Sequence, residues 1–319
     1  MSKKAPIPRP GVYGLYWKFA YERQKAFEAR LAGDPAPWSD DPILQKYKFC
    51  NVFRAADRVS QYMIKEVCYN EEPNHPDDRI FQIVAFRFFS NIETWEGIQE
   101  FLGRAPVIND LVDGGFERAL ENVKVKNGKL YTGAFILCAT DAYGRRLKHL
   151  NHVELFKDMF VNQNAGERIR RAANLTVVYL FLHQFPLIGD FMAYQIAIDL
   201  NYSEYINFSE DSFTKAGPGA LRGIKKVFLD TNGLTSEEVI IWMVEHQDEE
   251  FKKLGYDFKG LFGRKLHAID AQGLFCETDK YCREAVPDLK SARSRIKASF
   301  SSSPDKIKFF FPPKWRLIL

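Results

Sequence analysis

Apolar residues recur at three- and four-residue spacing along most of this chain, and strict alternation is rare. That rhythm predicts helices, because positions i, i+3, i+4 and i+7 share one helix face. Between Val12 and Leu31 the face carries Tyr16, Phe19, Ala20, Arg23 and Phe27, and Gly33-Asp34-Pro35 ends it. Trp38-Ser39-Asp40-Asp41-Pro42 reads as a helix start with Ser39 as N-cap. Phe49, Val52, Phe53, Ala56 and Val59 predict a helix continuing to about Cys68. A polar loop over 71–78 precedes a helix over 79–90, and Thr94 is placed to cap the next one. Only one segment has strand character. Val123 and Val125 alternate with lysines, and Asn127-Gly128 suits a two-residue hairpin turn leading into residues 129–137. Helices resume from Asn151. The expected fold is mainly α and multi-helical, with about ten to twelve helices and a small β-hairpin excursion.

Composition narrows the class without naming a function. With 46% hydrophobic and 27% charged residues over 319 positions, the chain can bury a sizeable core. The expected organisation is one helical catalytic domain over 1–289, compatible with two lobes (1–150 and 151–289), and a basic tail over 290–319. Net charge is only +4, so the chain as a whole is no electrostatic glue for nucleic acid. The tail is different: Lys290, Arg293, Arg295, Lys297, Lys306, Lys308, Lys314 and Arg316 face Asp305 alone. That is a phosphate contact or a solubilising end. The serine cluster over 299–303 reads as the start of a loosely held segment. Five cysteines without a CxxC pair read as reduced thiols, neither a disulfide frame nor a zinc site. The start shows no apolar leader, and the richest apolar window, Leu175 to Leu187, is too short to span a bilayer. A cytoplasmic protein with no membrane partner is expected.

Four segments concentrate chemistry. On the expected helix over 49–61, Arg54, Asp57, Arg58 and Gln61 share a side, with Asn51 nearby. Two guanidiniums, a carboxylate and an amide make an anion site with a built-in base; an exposed face with one ion pair fits the spacing equally well. Phe185-Pro186-Leu187-Ile188-Gly189 precedes a small-residue helix containing Gln195 and ending near Asp199. It is similar to a helix-hairpin-helix turn, which aims backbone N–H groups at a DNA phosphate. Leu187 stands where the DNA-binding version carries its first glycine, and a plain packing turn fits as well. Asp199 lies where the helix dipole disfavours a negative charge, which hints at function. Gly217-Pro218-Gly219, followed by Arg222, Lys225 and Lys226, suits a backbone cradle for phosphate. It is no Walker A loop, so nothing supports ATP or another cofactor. Lastly, Asp270, Gly273, Glu277 and Lys280 share one helix side, as do Cys276, Lys280 and Arg283. Glu277 beside two cations is a surface ion pair, a buried base or an amine-binding carboxylate. No His or Cys spacing supports a metal.

Six runs, taken in order, carry a family resemblance: 17–24 (WKFAYERQ), 37–42 (PWSDDP), 49–58 (FCNVFRAADR), 185–199, 217–219 (GPG) and 275–281 (FCETDKY). The chain resembles, from about residue 11 to 285, the bacteriophage thymidine-hypermodification proteins once called alpha-glutamyl/putrescinyl thymine pyrophosphorylases, now amino acid:DNA transferases. The same helical domain accompanies 5-hydroxymethyluracil DNA kinases. The resemblance implies a fold akin to helix-hairpin-helix DNA glycosylases. It also implies two substrates, double-stranded DNA bearing 5-phosphomethyl-2'-deoxyuridine and a free amino acid, glycine being the simplest. The amine would replace phosphate on the C5 methylene and so shield a phage genome from host restriction. In that chemistry Asp57, Glu277 and Asp199 are candidate bases. Asn51, Arg54, Arg58, Gln61, Gly189, Gln195, Gly217, Gly219, Arg222, Lys280 and Arg283 are candidate contacts to phosphate, DNA or the amino acid. The base would be flipped between aromatics such as Trp38, Phe53, Trp95 and Tyr281. Two other readings stay open: a glycosylase-like base-excision enzyme, and a non-catalytic DNA-binding partner of a kinase.

Overall fold

The computed structural model describes residues 4–72, 74–132, 141–289, 295–302 and 308–318. Among them fourteen α-helices dominate, beside a two-stranded antiparallel sheet that pairs Ile7–Pro8 with Phe228–Asp230. The architecture is therefore mainly helical. Chain contacts define two compact units: residues 1–57, 213–309 and 316–319 form the first, and residues 58–212 and 310–315 the second. The sequence had suggested a division near residue 150; contacts place it after Asp57 and Ser212.

The first unit is organised by the helix Ala268–Ala285, whose Ala268, Ile269, Ala271, Leu274 and Phe275 are buried. Tyr16, from the helix Tyr13–Ala32, packs against it with its ring 4.8 Å from that of Phe275. The helix Pro218–Val227 comes closer still. A Cβ on Gly223 would stand 2.0 Å from the Phe275 carbonyl oxygen, and one on Gly219 2.2 Å from Cys276 Sγ. Only glycine permits that approach. A capping box of Thr235 and Glu238 starts the helix Ser236–Lys253, worth about 1 kcal/mol.

In the second unit the helix Pro76–Phe89 is buried on every side from Arg79 to Phe89, as a helix enclosed by others must be. Phe81 is ringed by Phe116, Phe156 and Phe160 at 5.5, 5.9 and 5.3 Å. The helix also buries two arginines, and both are satisfied. Arg79 donates to the carbonyls of Val67, Asn70 and Glu72 at 3.0, 2.9 and 2.9 Å, while Arg87 pairs with Asp199.

Three local expectations are corrected. Asp41, not Ser39, caps Pro42–Lys46, accepting from the Ile43 and Leu44 N–H groups at 2.8 and 3.3 Å. Asn91, not Thr94, caps Ile92–Leu102; Thr94 is buried and donates to the Leu130 carbonyl at 2.9 Å. Val123 and Val125 belong to the helix Gly115–Asn127, which Gly128 ends at φ +70°. The Asn-Gly pair that would turn a hairpin here terminates a helix, since both roles use the same left-handed freedom. Residues 133–137 of the expected return strand lie outside the described residues.

The described part of the C-terminal tail is docked, not loose. Lys48 and Phe300 exchange backbone hydrogen bonds with Ala298 and Lys46 at 2.9 and 3.0 Å. Further on, Lys314 donates to the carbonyls of Ser203 and Ile206 at 2.7 and 2.8 Å, just past the end of the helix Asp190–Tyr202. Lysine in that role satisfies carbonyls a helix end leaves open. No described helix is long and apolar enough to cross a membrane.

Candidate functional site

The segment 49–61 does not form the single helix expected of it. Phe53 and Asp57 are extended, a 3-10 turn spans Arg54–Ala56, and a new helix begins at Arg58. The cause is side-chain competition for backbone groups. The Asp57 carboxylate accepts from the Asn51 N–H at 2.8 Å, and the Asn51 amide donates to the Ala56 carbonyl at 2.7 Å. From far along the chain, Asp270 accepts from the Arg54 N–H at 2.9 Å. Val52, Phe53, Ala55 and Ala56 are still buried, so the apolar positions are kept while the helix is not. Arg54, Asp57, Arg58 and Gln61 therefore share no helix face. Arg58 is exposed, and Gln61 is buried in the second unit, accepting from the Phe310 N–H at 2.7 Å.

What the loop over 48–57 does instead is close on Glu277. The Glu277 side chain, from the helix Ala268–Ala285, accepts from the Cys50 N–H at 3.0 Å and from Lys280 Nζ at 3.2 Å. Lys280 also donates to the Lys48 carbonyl and lies over the Phe49 ring, 4.4 Å from its centre. Arg23 reaches in from the first helix, donating to Asn51 Oδ1 at 2.6 Å.

Electrostatics set Asp57 apart. Burial pushes its carboxyl up, opposed by the Asn51 N–H and the Arg23 charge and helped by Glu277, to about 6. Burial likewise lowers the Arg23 guanidinium, with Asp57 its main compensating charge. The Cys50 thiol is raised well above its ordinary value, first by Glu277 and then by Asp57. Asp57, Glu277, Asn51, Arg23, Arg54 and Lys280 thus form one cluster in the first unit: two carboxylates, an amide and three cations. Such a cluster can hold an anion and take up a proton near neutral pH. All of them except Arg23 are site candidates in the sequence; Arg23 stands there only on the repeating face of the first helix. Its distance in sequence from the other members hid its part.

The remaining candidates have other partners. Asp279 is fully buried, with Arg222 Nε and Arg283 Nη2 at 3.1 and 2.8 Å from Oδ2 and Lys226 Nζ at 3.1 Å from Oδ1. Burial alone would raise this carboxyl, but hydrogen bonds from Arg283 and Lys226 lead the effects that bring it below the usual range. Arg222 and Arg283 are thereby tied to a carboxylate that the sequence reading passed over. Gly217 is the N-cap of Pro218–Val227, and Gly219 lies at the tight helix contact described above.

In the second unit, Leu175–His183 and Asp190–Tyr202 make a helical hairpin. Leu187 takes φ +72°, the left-handed conformation a glycine would hold freely. Gly189 is the exposed N-cap, but Asp190 follows it, accepting from Tyr179 at 2.7 Å and pairing with His183 at 3.0 Å. A carboxylate in that first turn competes with any phosphate for the helix N-terminus. Gln195 is buried, and Asp199 has no exposed surface, paired with Arg87 at 3.0 Å.

Comparison with known proteins adds the context. The family model of the 5-hmdU DNA kinase helical domain matches residues 10–291. A 5-hmdU DNA kinase of Bacillus phage SP10 is 26% identical over 315 aligned residues, covering 88% of this chain and 46% of the relative. The chain thus spans about half the length of that curated relative. No solved structure matches it.

Proposed function

This chain belongs to the family of the 5-hmdU DNA kinase helical domain, and from that premise we propose that it is an amino acid:DNA transferase of phage thymidine hypermodification. Its substrate is DNA bearing 5-phosphomethyl-2'-deoxyuridine. The amine of a free amino acid, glycine first, forms a C–N bond to the C5 methylene. The C–O bond to phosphate breaks with its electron pair on oxygen, and the amine's proton passes to the protein. The modified genome then resists host restriction.

One observation carries the reading: Asp57, raised to about 6, sits with Glu277 among Arg23, Arg54 and Lys280. A carboxylate titrating near the working pH suits proton removal from the attacking amine. The flanking cations suit the departing phosphate or the amino acid's own carboxylate. Asn51 orients Asp57 through its N–H. Asp199 is left to Arg87 and takes no part. The test is mass spectrometry of nucleosides from phosphomethylated DNA incubated with the protein and single amino acids. A new adduct with at least one amine is expected; none with any amine overturns the reading.

A second reading rests on the match itself. The family is that of a kinase's helical domain, and the chain covers 46% of the relative. On this reading the chain is a non-catalytic DNA-binding partner of a separate kinase. It predicts that Asp57→Ala and Glu277→Ala leave both DNA binding and modification unchanged.

A further inference from the structure

Gly273 stands inside the helix Ala268–Ala285, where a glycine weakens the helix relative to alanine. Packing does not ask for it. At Gly219 and Gly223 an added Cβ would stand 2.2 and 2.0 Å from Cys276 Sγ and the Phe275 carbonyl oxygen. At Gly273 it would meet no atom within 4 Å, and no positive φ calls for glycine there either. Ala271, Gln272, Leu274 and Phe275 around it are buried, while Gly273 is only half-buried.

The same side of this helix holds the loop of the candidate site at two points. Asp270, three residues before Gly273, accepts from the Arg54 N–H at 2.9 Å through Oδ1 and from the His267 N–H at 3.1 Å through Oδ2. Glu277, four residues after Gly273, accepts from the Cys50 N–H at 3.0 Å. The two carboxylates stand i and i+7, about 10 Å apart along the axis, and Gly273 falls between them. The loop over 50–54 is thus pinned on either side of a helix position that carries no side chain. Charge there matches one kind of ligand. Glu277 is nine-tenths buried, and its bonds from the Cys50 N–H and from Lys280 Nζ, the latter at 3.2 Å, both go to Oε2. No described residue donates to Oε1, and a buried carboxylate oxygen calls for a donor. Lys280, seven residues after Gly273 and on the same side, sets a cation beside it. A carboxylate short of one donor next to an ammonium is the complement of a zwitterion.

We infer that the helix face at Gly273, framed by Asp270 and Glu277, is the subsite for the free amino acid, with its ammonium at Glu277 and its carboxylate at Lys280. Glycine at 273 keeps open the room that any side chain would fill, at the expense of some helix stability. The inference rests on the transferase reading and says where its second substrate is held.

The test uses the full chain as wild type, Gly273→Ala and Gly273→Met. Three quantities are read: Tm, the KM and kcat for glycine on phosphomethylated duplex, and NMR saturation transfer from the protein to glycine with no DNA present. Alanine is the stronger helix former, so Tm should rise by about 1–2 °C in Gly273→Ala, which removes misfolding as an explanation. KM for glycine should nevertheless rise about tenfold in Gly273→Ala and about a hundredfold in Gly273→Met, the scale of forcing extra atoms into an occupied site. At saturating glycine kcat should stay within about threefold, as for a loss of binding alone, and saturation transfer should fall in the same order. An unchanged KM in both variants, or a fall in Tm for Gly273→Ala, overturns the subsite and leaves the transferase standing. Saturation transfer to glycine that Gly273→Met abolishes, with no adduct from any amine, supports the subsite and overturns the transferase.

Discussion

Asp57 and Asp279 are two aspartates of one unit whose acidities are driven apart. The fully buried one is held below the usual carboxylate range, and the half-buried one is raised to about 6. Burial pushes both carboxyls up. The difference lies in company. Three cations contact Asp279 directly, two of them bound from the helix Pro218–Val227, so its charge staples that helix to Ala268–Ala285. Asp57 accepts from a backbone N–H, while Arg23 donates to Asn51 and the Glu277 charge stands near. A carboxylate saturated with cations is structural; one left short of them is poised to take a proton.

The sharpest way to break this contrast is Asp57→Asn. The amide oxygen still accepts from Asn51, so the loop survives, but adduct formation should fall about a thousand-fold, the scale of a lost general base. Stability should not fall with it. A raised carboxyl contributes most below its unfolded value of 3.8 and loses that contribution as pH climbs through about 6. At pH 7.5 the neutral amide should therefore raise Tm slightly, by about 1–3 °C. A matching loss of Tm and activity would mean the residue is structural.

Asp279→Asn should do the reverse. Three cations lose their counter-charge, and a loss of about 3 kcal/mol is expected in urea unfolding, with activity per folded molecule within a few-fold of wild type. Next in size is the pH profile of kcat/KM for the amino acid. It should decline as pH falls through about 6, and Arg23→Gln, which removes the charge holding Asp57 down, should shift that limb to higher pH. An unmoved limb would assign the titration to another group. The smallest effect belongs to Arg58→Ala: Arg58 is exposed, and Tm should change by less than about 1 °C.

The same contrast explains how much was legible. Helices with local signatures were readable: Tyr13–Ala32 from its apolar spacing, and the start at Pro42 from its acids, one residue class right and the capping residue wrong. The segment 49–61 kept Phe49, Val52, Phe53 and Ala56 buried and lost the single helix. Its backbone is claimed by Asn51, Asp57 and, 216 positions away, Asp270. Asn127-Gly128 failed for another reason, because a hairpin turn and a helix C-cap ask for the same φ. Glu277 was picked out by its neighbours on one helix face, whereas Arg23 and the Ile7–Pro8 strand depend on partners no local window contains. The glycines at 217–219 looked like a phosphate cradle, and Gly219 answers to Cys276 instead.

The nested arrangement of the two units has a consequence in time. A ribosome finishes residues 58–212 while the first unit exists only as its opening fragment. Arg23 and Asp57 must then wait through the whole insert, and on to the Cys50–Glu277 bond spanning 227 positions, before their cluster can close. Contacts of such sequence distance form slowly, since loop closure is lost before any of them is gained. The nascent chain therefore carries residues 58–212 for some seconds of synthesis before the Asp57 and Glu277 cluster can close. On the transferase reading, activity should appear only once the helix Ala268–Ala285 has left the ribosome.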